Sequence, residues 1–105
     1  MRLGIAYVYF PEDRRDRIGA RQIDEGMVYR ALTADADLGE APPLLVGEWV
    51  DRQGRDIRAL AQDPGSGRYL EVGFILHDDG GARCYHARTM DADGRRRFQT
   101  QRGRR

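Results

Sequence analysis

The chain has 105 residues, 40% apolar and 33% charged, a balance that fits one folded domain and leaves too little material for two independent cores. A lone cysteine, Cys84, excludes an internal disulfide, and no apolar run approaches the length of a membrane span. The formal charge of +1 conceals an asymmetry: residues 1–51 hold six arginines and ten acids, residues 52–105 hold twelve arginines and seven acids, and lysine is absent throughout.

Residues 3–10 are β-branched and aromatic, which predicts a strand or a packed extended arm. They run into Pro11-Glu12-Asp13 without the small-residue cleavage pattern of a signal peptide, so a cytoplasmic, reduced protein is expected. From Glu12 to Ile18, acids lead and arginines trail, as a helix dipole favours, giving a first helix that is polar almost all round. Asp24 is placed to cap a second helix, where Met27, Val28, Ala31 and Leu32 form one apolar stripe.

Beyond Gly39 the pattern changes to period two. Strands are predicted at residues 44–50 and 55–62 across the turn Asp51-Arg52-Gln53-Gly54, at 68–77 after the turn 63–67, and at 82–88 after 78–81. In the third of these, Leu70, Val72, Phe74 and Leu76 share one face; in the last, strict alternation groups Cys84, His86 and Arg88. A short polar helix from about Met90 or Asp91 closes the chain. The expected fold is α+β: an N-terminal helix pair, a four-stranded antiparallel meander and a C-terminal helix.

One cysteine and two histidines, at 77 and 86, lack metal-ligand spacing, so neither metal nor other cofactor is expected. The single serine, Ser66, sits in a turn without a base placed beside it. Arg58, His86 and Arg88 remain as a candidate catalytic set. Metal-free cleavage of an RNA phosphodiester needs a proton acceptor, cations for developing charge and a proton donor, and arginine and histidine supply such groups. The competing reading pairs Arg58 and Arg88 with acids such as Asp56 or Glu71 and leaves His86 as a solvated strand residue. Tyr69 and Tyr85 are candidates for stacking on bases or for half-buried packing, and Trp49 for core or partner interface. Arg96 and Arg97, in a tail with six arginines and no acid from residue 95 onward, can follow an RNA backbone, meet an acidic partner or remain solvated.

Taken together, the order of these motifs resembles the BrnT-like toxins of the RelE superfamily, small ribonucleases of bacterial toxin–antitoxin pairs. The likeness spans residues 10–98. It rests on Asp16-Arg17-Ile18, Ile23-Asp24 and Met27-Val28-Tyr29-Arg30-Ala31-Leu32 as the opening helix pair, and on Arg58-Ala59-Leu60-Ala61 and Gly67-Arg68-Tyr69-Leu70 as strands. His86-Ala87-Arg88-Thr89-Met90 is similar to the family's alanine-arginine strand end, and Gly94-Arg95-Arg96-Arg97-Phe98 stands where its terminal helix does. The resemblance implies a RelE-like fold, Arg58 and Arg88 as phosphate-binding cations, His86 as a proton carrier, and Arg96 or Arg97 as tail contacts.

It also implies a toxin-like endoribonuclease acting on single-stranded RNA, messenger RNA foremost, and a cognate antitoxin carrying a ribbon-helix-helix DNA-binding domain. No membrane partner is expected. Arg21-Gln22 stands where the family often has histidine-glycine, which makes Arg21 an RNA-contact candidate; Ala61 replaces a glycine and Gly94 a glutamate. These departures motivate a second expectation, a catalytically silent RNA-binding or protein-binding module. A third is a structural domain whose basic tail contacts a protein.

Overall fold

The computed structural model describes residues 3–52 and 54–103, with side chains described as far as Gln101. Within the anticipated turn and tail, Gln53, Arg104 and Arg105 lie outside the described residues. The elements run β1 (Tyr7–Tyr9), α1 (Glu12–Gly19), α2 (Glu25–Leu32), a single 3₁₀ turn (Ala36–Leu38), β2 (Leu44–Asp51), β3 (Gly54–Gln62), β4 (Tyr69–Leu76), β5 (Gly81–Thr89) and α3 (Ala92–Gly103).

The fold is α+β, as the patterning predicts, but its sheet is five-stranded and mixed, in the order β1-β5-β4-β3-β2. The four-stranded expectation is corrected by β1, which adds beside β5 in parallel, Tyr7 opposite Gly81 and Tyr9 opposite Arg83. Val8 then points into the core while Tyr7 and Tyr9 point away from it, and glycine at 81 leaves the room that the Tyr7 ring fills. A three-residue parallel ladder has almost no local signature, because its partner is more than seventy positions along the chain.

The helix pair covers one sheet face. Asp24 accepts the Met27 amide at 2.8 Å, capping α2, and Met27, Val28, Ala31 and Leu32 are all buried. They pack with Ile18 of the otherwise polar α1 on Ile57, Ala59, Ala61, Leu70, Val72, Phe74 and Leu76. On the opposite face α3 covers one corner only, where Phe98 meets Leu60, Met90 and Ala41, flanked by Leu44 and Tyr69. The closing helix, expected to be short and polar, thus holds a buried anchor: Phe98 is 1% exposed.

Two bulges alter the alternation. In β5 the register slips between Gly73 opposite His86 and Phe74 opposite Cys84, making Tyr85 the extra residue. Cys84 and Ala87 therefore both face the core, while His86 and Arg88 face the other way. The grouping of Cys84 with His86 and Arg88 is corrected accordingly; strict period two cannot anticipate an inserted residue. A similar slip at Val46 in β2 turns Gly47 and Trp49 to the same outer face.

Candidate functional site

The sheet face that α3 covers only at its Leu60 corner is organised in rows of paired residues. One row reads Leu44, Leu60, Glu71, Arg88; the next reads Gly47, Arg58, Gly73, His86; the third reads Trp49, Asp56, Ile75, Arg83 and ends on Tyr9. Arg58, His86 and Arg88 consequently project from the same side of the sheet. Strands about 4.8 Å apart and same-face rows about 6.8 Å apart put the Arg58 and Arg88 Cα atoms roughly 12 Å from each other, a gap two arginine side chains can close around a phosphate.

Glu71 occupies the middle of this group. Its carboxylate accepts two bonds from Arg88, Nε at 2.9 Å and Nη2 at 3.2 Å, and lies 2.9 Å from His86 Nε2. Arg88, and after it His86, holds the Glu71 carboxyl below its ordinary range against the opposing effect of burial. The pairing of Arg88 with Glu71 weighed from the sequence is therefore present. Arg58 differs: among the described residues it ion-pairs with no carboxylate, and its guanidinium lies 5.7 Å from the centre of the Tyr85 ring.

Tyr85 is half-buried, and its hydroxyl donates to Asp56 at 2.6 Å. Burial and that hydrogen bond push the phenol up, with Arg58 acting in the other direction, so Tyr85 is a poor proton acceptor near neutral pH. Its ring lies over Gly73: a Cβ there would stand 3.1 Å from Tyr85 Cζ and Oη. His77, the other histidine, follows the end of β4, its Nε2 3.1 Å from the Tyr9 hydroxyl and its ring stacked on that tyrosine. Beside Arg88 the proton-carrying groups are Glu71 and His86, which touch each other, and Asp91, whose Oδ2 lies 3.7 Å from Arg88 Nη2.

The remaining candidates lie elsewhere. Tyr69 is half-buried beneath α3, with its ring edge-on to Phe98 at 6.0 Å and Arg95 over its face at 4.3 Å, so that face is already covered. Arg21, between α1 and α2, donates to the Ala87 carbonyl at 2.9 Å, capping β5 where the short β1 leaves its edge open. Arg96 pairs with Asp93 at 2.9 Å on the exposed side of α3, and Arg97 is exposed nearby.

Sequence reasoning did not include Glu71 in the site, and of the two places it weighed for Trp49, core or partner interface, the core is excluded, since Trp49 is 58% exposed on the site's own face. Glu71 was legible as a pairing acid for Arg88; its place in the site comes from standing opposite Arg88 and within reach of His86. Among the described residues no group of three His, Cys, Asp or Glu side chains gathers as a metal-holding cluster, and no helix is long and apolar enough to cross a membrane. Comparisons with protein-family models, curated proteins and solved structures returned no match.

Proposed function

We propose that the chain is a metal-independent endoribonuclease of the RelE-like, toxin type, cleaving single-stranded RNA, messenger RNA foremost. The observation that carries this reading is the common outward face of Arg58, His86 and Arg88 around Glu71. Arg58 and Arg88 grip the phosphate on either side. As Arg88 moves from Glu71 to a phosphate oxygen, the carboxylate loses its main stabilising partner and becomes the more basic acceptor for the 2′-hydroxyl proton. The 2′-oxygen bonds to phosphorus and the bond to the 5′-oxygen breaks. Protonated His86 supplies the leaving oxygen's proton, yielding a 2′,3′-cyclic phosphate and a 5′-hydroxyl end. The basic face would be the surface that a cognate antitoxin, of ribbon-helix-helix DNA-binding type, covers with an acidic segment.

Incubation of the purified protein with end-labelled RNA in EDTA tests the reading. Cyclic-phosphate ends are expected, and Arg58→Ala or Arg88→Ala should slow their appearance by about 100-fold, as loss of one transition-state cation does. Intact RNA after prolonged incubation with folded wild-type protein would refute it. The second reading, a catalytically silent RNA-binding or protein-binding module, is favoured by one feature: Glu71 already satisfies both Arg88 and His86. It predicts salt-sensitive RNA binding with no cleaved product.

A further inference from the structure

Trp49 belongs to an edge strand, yet its ring does not project sideways into solvent. It folds back over Gly47, where a Cβ would meet ring atoms Cη2 at 3.2 Å and Cζ3 at 3.5 Å and the Arg58 Cβ at 3.8 Å. Tyr85 does the same over Gly73, and Arg58 reaches over the Tyr85 ring. Gly47, Arg58 and Gly73 are consecutive members of one row, so two rings, each laid on a glycine, stand on either side of the Arg58 position, and its guanidinium lies on the Tyr85 side. Glycine twice in that row is what permits the rings to lie down.

A large indole held exposed near an arginine that, among the described residues, ion-pairs with no carboxylate matches an unpaired nucleobase attached to a phosphate. Aromatic faces accept any base, while the guanidinium takes the backbone oxygens; a duplex hides its base faces and would meet only the charge. We propose that Trp49 forms a stacking site for an unpaired base that flanks the phosphate held by Arg58, with Tyr85 as the support beneath that guanidinium, making the surface selective for single strands. This deepens the ribonuclease reading and rests on it for the position of the phosphate.

Trp49 is the sole tryptophan of the chain, so its fluorescence reports directly on the site. The probe is a short oligodeoxynucleotide, which lacks the attacking 2′-hydroxyl, compared with an abasic strand of equal charge and with the corresponding duplex. The base-bearing single strand is expected to quench Trp49 and to bind about tenfold tighter than the abasic strand, with Trp49→Ala removing that advantage and Trp49→Phe keeping part of it. Equal affinity for both strands with unquenched Trp49, or quenching by the duplex to the same extent, would overturn the proposal. Cleavage of RNA at the wild-type rate and KM by Trp49→Ala would also overturn it while leaving the nuclease reading intact. Quenching by single strands without any RNA cleavage would instead refute the nuclease reading alone.

Discussion

Gly73 stands between Arg58 and His86, and the Tyr85 ring fills the space of its absent side chain. Its backbone is outside the left-handed region, so Gly73→Ala is compatible with the strand and should cost only about 1 kcal/mol of stability, the low end for overpacking. The methyl should nonetheless push Tyr85 off the sheet and remove the support under Arg58. Cleavage measured under single-turnover conditions is expected to fall by up to about 100-fold while the melting temperature changes little. Glu71→Gln separates the two functional readings. It releases Arg88 and His86 from an anion, so RNA affinity should hold or rise, whereas the cleavage rate should drop by about 100-fold if the carboxylate takes the proton. An unchanged rate would remove Glu71 from the chemistry.

At the scale of elements, the β3–β4 connection is tied to α2 through one buried acid. Asp63 is fully buried and accepts from Arg30 Nε and Nη2 at 2.8 Å each, from the Gly65 and Ser66 amides, and from Ser66 Oγ at 2.7 Å. Burial alone would raise its pKa, but the bonds from Arg30, Ser66 and Gly65 prevail and hold the carboxyl well below the ordinary range. Its folded pKa is depressed, so its contribution is complete above an unfolded value near 4 and declines as pH falls from there toward the folded value. Arg30→Ala, leaving a buried carboxylate short of its cation, should lower stability at neutral pH, and Asp63→Asn should flatten the acid limb of stability against pH. Urea denaturation across a pH series measures both. The turn itself was evident from Asp63-Pro64-Gly65-Ser66-Gly67, since those residue types favour turn geometry; its attachment to Arg30 was not, because 33 positions separate the partners.

Across the whole molecule the two sheet faces are unequal. One is sealed by α1 and α2; the other is covered at a corner by α3 and otherwise presents Arg58, Glu71, His86, Arg88 and Trp49. Phe98 is the pin that holds α3 there, in contact with the Leu60 and Tyr69 corner. Phe98→Ala is expected to lower stability by about 3 kcal/mol, read by thermal melting, and to loosen α3 without unfolding the main core. RNA binding by that variant should keep its dependence on Arg58, which stands on β3, and on Arg88, which Glu71 holds more closely than does Asp91 at the head of α3, 2.9 Å against 3.7 Å. A fall in affinity as large as that of Arg58→Ala would instead make α3 part of the site.

The local elements were contained in the chain's own spacing. The capped α2 with its stripe, the four long strands and the turns between them follow from short-range rules, because capping, amphipathic period and turn conformation act over a few residues. The sequence also pointed to Arg58, His86 and Arg88 through their residue types. Whether His86 and Arg88 kept company with Cys84 depended on a bulge at Tyr85, and whether β1 joined the sheet depended on a partner at the other end of the chain. Glu71 joined the group through cross-strand register, and Trp49 through a glycine in its own bulged strand. Register and bulges are settled by packing of both faces at once, a non-local energy that no window of the sequence contains.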